Sequence, residues 1–219
     1  TNNSMNTAAI NQALNQAESL LQVGNLAQAT ALYERLFART PNDKRIVLAL
    51  ARIEQTRGKI KRAHKLYLSL LKQKFDADVA LALANSYIAT GFSWRGVRLL
   101  LKLIRKDTQQ SYLYAVLANT LSDLGLYKRA YQYFALAAKL DDSNPNLLLS
   151  YAAALMANKE YKKAAKILKT AYDTASQETH RSIVTHYTCC LLHLNEVHLA
   201  SSCIQRNSIT EQPSLIDYE

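Results

Sequence analysis

The sequence is short of turn-forming residues, with only 5 Gly and 3 Pro in 219 positions. That speaks against a sheet protein, which needs many turns. Long apolar runs are lacking too. Charged or polar residues interrupt every leucine-rich stretch, and none approaches the ~18 residues of a membrane span. Cysteine is scarce and clustered: Cys189, Cys190 and Cys203 all lie near the C-terminus, an odd count that excludes a disulfide framework. Between Cys190 and Cys203 a bridge is one alternative, and packing as small apolar side chains is the expected state. There is no glycine-rich phosphate loop, no nucleophile elbow and no convincing pair of carboxylates, so nothing points to catalysis and no cofactor is expected.

What is present in quantity is alanine, leucine, lysine and tyrosine, and these residues repeat. The segments Gly24–Ala29, Gly58–Ala63, Gly91–Gly96, Gly125–Ala130, Lys159–Ala164 and Asn195–Ala200 each read as a helix stop, a short turn and a restart on a small residue. The small residues at 29, 63, 96, 130, 164 and 200 are spaced by 34, 33, 34, 34 and 36. Such regular spacing marks a repeat architecture. Before each turn runs a helical stretch with an apolar face, such as Val47, Leu50, Ala51 and Ile53. Gly, or Asn195 in the last unit, can take the left-handed conformation that ends a helix. Four residues after each small residue comes a bulky one: Tyr33, Tyr67, Leu100, Phe134, Leu168 and Ile204. These are expected to fill the space between one pair and the next. One helix pair cannot bury its own apolar faces, so stacking is obligatory.

The pattern resembles the tetratricopeptide repeat family over roughly residues 10–207. Repeat one matches through Gly24, Ala29, Tyr33 and Pro41. Repeat four matches through Tyr114, Leu117, Ala118, Gly125, Tyr127, Ala130, Phe134 and Ala137. Gly96 and Lys159 depart from it, replacing the family's Ala and Gly, and the closing Pro is missing from repeats two, three and four. The resemblance implies an all-α, right-handed superhelical solenoid of antiparallel helix pairs. Units are expected near 10–43, 44–76, 77–110, 111–144, 145–180 and 181–207, between an N-terminal extension (1–9) and a C-terminal tail (208–219). The tail ends on Asp217, Tyr218 and Glu219, and is expected to be disordered or to lie along the basic surface. Thr1 to Asn6 show no initiator Met at the start and no signal-peptide pattern. That reads as a trimmed or engineered fragment with Met5 as a candidate start, and leaves a removed signal or anchor open. Composition and array look like bacterial accessory proteins of pilus, secretion or envelope assembly, which suggests a cytoplasmic or periplasmic-facing soluble domain.

The same resemblance implies that the first helix of each unit lines a concave groove for a partner protein. The groove set is Arg45, Leu48 and Arg52, then Leu81, Asn85 and Ile88, then Tyr112, Asn119 and Asp123, then Leu149 and Met156. Asn85 and Asn119 are the informative pair, because an amide both donates to and accepts from a peptide backbone. Their largely apolar flanks suit an extended segment or an amphipathic helix. The family's clamp for a C-terminal carboxylate is rejected, since no Lys stands at the corresponding fifth positions.

Charge is uneven along the chain. Residues 44–169 hold 23 Lys+Arg against 8 Asp+Glu, while both ends are mildly acidic. Most of the surplus lies on second helices, which in this family face the convex side: Lys61, Arg62, Lys65, Arg95, Arg98, Lys102, Lys162, Lys163 and Lys166. A solvated outer face is the plain reading, and an acidic protein or an anionic membrane surface is the next. Nucleic acid is disfavoured, because the groove positions carry no regular base-reading code. Self-association through an exposed apolar end face is a further alternative. Finally, His186, Cys189, Cys190 and His193 fall within one arc of a helix. Four ligands on one helix rarely surround a metal, so packing is expected there.

Overall fold

A computed structural model describes residues 2–209 and Leu215, with side chains from residue 7 to 207 and at Leu215. Among the described residues there are twelve helices and no strands. They fall into two compact units, residues 1–103 and 104–219. The first holds α1 (Asn2–Gln22), α2 (Leu26–Arg39), α3 (Lys44–Thr56), α4 (Ile60–Gln73), α5 (Ala77–Ala89) and most of α6 (Ser93–Lys106). The second holds α7 (Ser111–Asp123), α8 (Tyr127–Leu140), α9 (Pro145–Ala157), α10 (Tyr161–Thr174), α11 (Gln177–His193) and α12 (Val197–Ile209). Consecutive helices pack on each other within both units, and alternate ones also touch, α3 on α5 and α7 and α11 on α9.

One turn, repeated six times, makes the pairs. In the first, Gly24 N–H donates to the Leu21 carbonyl (3.1 Å) and Asn25 N–H to that of Leu20 (2.8 Å), which caps α1. Asn25 then opens α2, because its carbonyl accepts from Ala29 N–H (3.1 Å). The same three bonds recur around 58, 91, 125, 159 and 195. The residue at the stop has φ between 61° and 88° in every case, and two of the six are not glycine: Lys159 (61°) and Asn195 (63°). Three of the other helix starts use side chains. Asp43, Asp76 and Asn144 accept from the first free N–H groups of α3, α5 and α9, and Pro145 occupies the first turn of α9.

The small residues sit where the two helices of a pair cross. Ala29, Ala63, Ala130, Ala164 and Ala200 have no exposed surface. Gly96 explains its own departure from alanine. A Cβ there would lie 2.6 Å from Ile88 Cγ1 and 3.0 Å from the Ala84 carbonyl oxygen, so α5 and α6 approach too closely for one. The bulky residues four positions on are buried at 33, 67, 100, 134 and 168. Ile204 is not: it is 56% exposed, because among the described residues no further helix pair stacks on α12. Cys203 is the buried residue there instead, and none of Cys189, Cys190 and Cys203 is in a disulfide.

α3, α5, α7 and α9 begin at residues 44, 77, 111 and 145. The two long helices differ. No breaker separates residues 2–9 from residue 10 onward, and α1 runs through them. α11 begins at Gln177 rather than near 181; it is a turn longer than α9 and the link before it is two residues shorter than that before α9, which together give the final spacing of 36. Beyond Ile209 only Leu215 is described, half-buried against the core of the second unit. The remainder of the tail, with its expected course, lies outside the described residues.

Candidate interaction surfaces

In the first unit, α3 and α5 carry the first half of the expected groove. Residues 48, 81 and 88 are half-buried, while Arg45, Arg52 and Asn85 are exposed. At 3.6 residues per turn, 81, 85 and 88 share one stripe of α5, so the Asn85 amide stands on an apolar strip. Asn85 has no hydrogen-bond partner among the described residues. The two arginines are less available. Arg45 pairs with Asp43 (2.9 Å), which holds the Asp43 carboxyl below its ordinary range, and donates to Asn11 Oδ1 (3.0 Å). Arg52 lies beside the buried Tyr67 hydroxyl, whose pKa is raised by burial.

The second unit repeats the arrangement on α7 and α9. Tyr112 is 56% exposed, Asn119 and Asp123 are exposed, and Leu149 and Met156 are half-buried against the core. The Asn119 amide likewise has no partner among the described residues.

The basic residues of the second helices divide into two kinds. Arg62 is structural. Its Nη2 donates to Glu34 Oε1 (2.6 Å) on α2, and its Nη1 lies 3.3 Å from Oε2 of the fully buried Glu54. Arg57 donates to Glu54 Oε1 (3.2 Å), and Lys59 Nζ is 3.9 Å from Oε2. One carboxylate sealed in the first unit thus holds three cations around the α3–α4 turn. Lys44 forms a second such link, pairing with Asp76 (2.9 Å) and Asp78 (2.8 Å) across two repeats. By contrast Lys61, Lys65, Arg98, Lys162 and Lys166 are exposed. Lys163 pairs with Glu160 (3.2 Å), Arg95 lies 5.2 Å over the Phe92 ring, and Lys102 lies 4.8 Å over that of Phe75.

The His–Cys stretch does not converge. His193 is exposed and stacked on Tyr161 at 4.2 Å, and His186 Nδ1 bonds the Ser182 carbonyl (2.7 Å). Cys190 is buried, and that burial, with Cys189 beside it, pushes its pKa up to about 12. A thiol so far from ionising is a core residue. Among the described residues no group of three or more His, Cys, Asp or Glu could hold a metal.

One helix-capping turn recurs six times in about 34-residue phase, each followed by a buried small residue, and a tetratricopeptide repeat model matches residues 20–86. The chain carries tetratricopeptide repeats. A comparison with curated proteins gave no match. Among solved structures the chain is similar in fold to PilF of Pseudomonas aeruginosa, at 20% identity and a TM-score of 0.70, over 93% of this chain and 92% of that one. A tetratricopeptide repeat protein of Parabacteroides merdae gives 14% identity and a TM-score of 0.71, over 94% and 81%. YrrB, a tetratricopeptide repeat protein with an unusual peptide-binding site, gives 16% and 0.61, over 82% and 95%. At these identities the likeness concerns the fold. No helix among the described residues is long and apolar enough to cross a membrane.

Proposed function

We propose that this chain is a non-enzymatic scaffold that holds a segment of another polypeptide against the faces of its first helices. The observation that carries this reading is the unpartnered Asn85 amide, set on the strip of Leu81 and Ile88. The strip offers apolar surface to alternate side chains of a bound segment, while the amide offers a donor and an acceptor to its backbone. Asn119 on α7 repeats the exposed amide in the second unit, between Ala115 and Ser122 rather than two bulky apolar side chains. YrrB, of similar fold, has a peptide-binding site, which supports the reading. The resemblance of composition and array suggests assembly of a bacterial pilus, secretion or envelope complex as the setting.

The test is a pull-down from source cells with the wild type beside Asn85→Ala, Asn119→Ala and the double variant. Each amide contributes two hydrogen bonds of about 0.5–1.5 kcal/mol net, so each single variant should weaken capture by about 1–3 kcal/mol, roughly 5- to 150-fold. Rising salt should have little effect, since the contacts are amide and apolar. Retention of every partner by a folded double variant would remove the groove reading.

A further inference from the structure

The first unit has a second concavity on the other side of α5, lined by α4, α5 and α6. Leu83 and Tyr87 of α5 form its floor, Leu68 and Phe75 one wall, and Arg98 and Lys102 its rim, around a cavity of about 460 Å³. Leu83 and Tyr87 each stand two residues from Asn85, some 200° around the helix, so this cavity and the amide strip occupy opposite sides of α5. Three further observations bear on what it takes. Leu68 is 38% exposed although it sits among apolar neighbours. Arg95, Arg98 and Lys102 have no ion-pair partner among the described residues, and neither α4 nor α6 contains an acidic residue. The nearby acids Asp76 and Asp78 are already held by Lys44.

We propose that this cavity is a docking site for an acidic-apolar peptide segment of a partner protein, one large apolar side chain flanked by Asp or Glu. The apolar side chain enters against Leu68 and Tyr87, and the flanking carboxylates meet Arg98 and Lys102. Charge complementarity fixes the sign of the flanks, and the concave apolar floor decides the class of partner. A phosphate backbone would leave that floor empty, and a flat lipid surface cannot enter it. A single aromatic or leucine anchor in a pocket with a charged rim is the usual form of a short-peptide hot spot. The site is independent of the first-helix groove and goes beyond it.

The test is selection from a random dodecapeptide display library on the full chain, beside an Arg98→Glu/Lys102→Glu variant. Both side chains are exposed, so the variant should fold, and an unchanged thermal melt checks this. The wild type should enrich peptides with Phe, Trp or Leu beside Asp or Glu. A synthetic winner should bind the variant at least tenfold more weakly, bind Leu68→Ser about tenfold more weakly, and bind Asn85→Ala as it binds the wild type. Winners without acidic residues, or none at all, would overturn the proposal. So would equal binding to the charge-reversed variant. Binding lost in Asn85→Ala but kept in Leu68→Ser would assign the peptide to the groove, sparing the scaffold reading and ending this one. Phosphatidylserine vesicles or single-stranded RNA bound through Arg98 and Lys102, with no peptide winner, would also overturn it.

Discussion

Gly96→Ala is the sharpest test of how the repeats pack. Gly96 lies in the first turns of α6, where glycine costs about 1 kcal/mol against alanine in helix propensity. On propensity alone, then, the substitution should stabilise. The structure reverses that sign. The new Cβ would stand 2.6 Å from Ile88 Cγ1 and 3.0 Å from the Ala84 carbonyl oxygen. Ile88 Cγ1 is the root of the side chain rather than its free end, and the carbonyl belongs to α5 itself, so neither yields without moving the helix. Overpacking of this kind costs about 1–3 kcal/mol. The net expectation is a loss of about 1 kcal/mol. Replacing Ile88 by Ala as well removes the worse of the two contacts, and in that background Gly96→Ala should be neutral or stabilising by up to about 1 kcal/mol. Urea unfolding followed by far-UV circular dichroism measures all four corners of the cycle. Fluorescence of Trp94, the sole tryptophan, reports locally on the first unit in case the transition is not two-state. If Gly96→Ala stabilises the wild type, or the two substitutions are additive, the close approach of α5 and α6 is not what demands glycine.

Glu54→Gln should destabilise the first unit by roughly 2–3 kcal/mol in the same assay. It removes the charge that Arg57, Lys59 and Arg62 surround, and the cost is below that of a sealed ion pair because the cations are partly exposed. Lys159→Gly should stabilise by about 0.5–1 kcal/mol, since φ is 61° there, whereas Gly125→Ala at φ 76° should cost about 1 kcal/mol. His64 sets a pH dependence. Burial, and then the Arg95 guanidinium, lower its pKa from the usual 6.5, and it packs between Tyr87 (4.6 Å) and Phe92 (5.6 Å). A lowered folded pKa means that the unfolded chain takes up the proton first. The contribution of His64 is therefore complete above about pH 6.5 and is lost as pH falls toward its folded value. Melting temperatures measured from pH 7.5 to 5, values chosen to span the ordinary imidazole pKa, should fall less steeply in His64→Phe than in the wild type.

The helix pairs are legible in the sequence because their signal is local and repeated. A stop, a turn and a small residue at fixed offsets leave one arrangement of backbone bonds, and helix starts at 44, 77, 111 and 145 follow from the phase alone. Lys159 is legible only as a departure, since nothing in a lysine announces a positive φ; its neighbours impose it through the Met156 and Leu155 carbonyls. Ile204 misleads for the opposite reason. Its position in the repeat is right, but burial there depends on a following pair, which no local pattern encodes. Arg62 reads as part of a solvated basic face because Glu34 and Glu54, which hold it, are 28 and 8 residues away. Pairings across repeats are where a linear reading loses information.

The same limit explains why the surfaces are harder to read than the fold. A helix in the middle of a stack has a buried stripe on each side, facing the preceding and the following pair. What remains for partners is two narrow strips between them. On α5 these are the strip of Asn85 and the opening above Leu83 and Tyr87, separated by two residues in sequence and about half a turn of helix in space. A period of 3.6 identifies the buried stripes readily, because apolar residues recur there in every unit. It cannot identify the opening, because Leu83 and Tyr87 read as core, and line a cavity only together with residues of α4 and α6 that lie outside the local pattern. Charge supplies the missing signal. Five basic residues and no acid on α6, beside a cavity with an apolar floor, are the features on which the proposed acidic-apolar docking site rests.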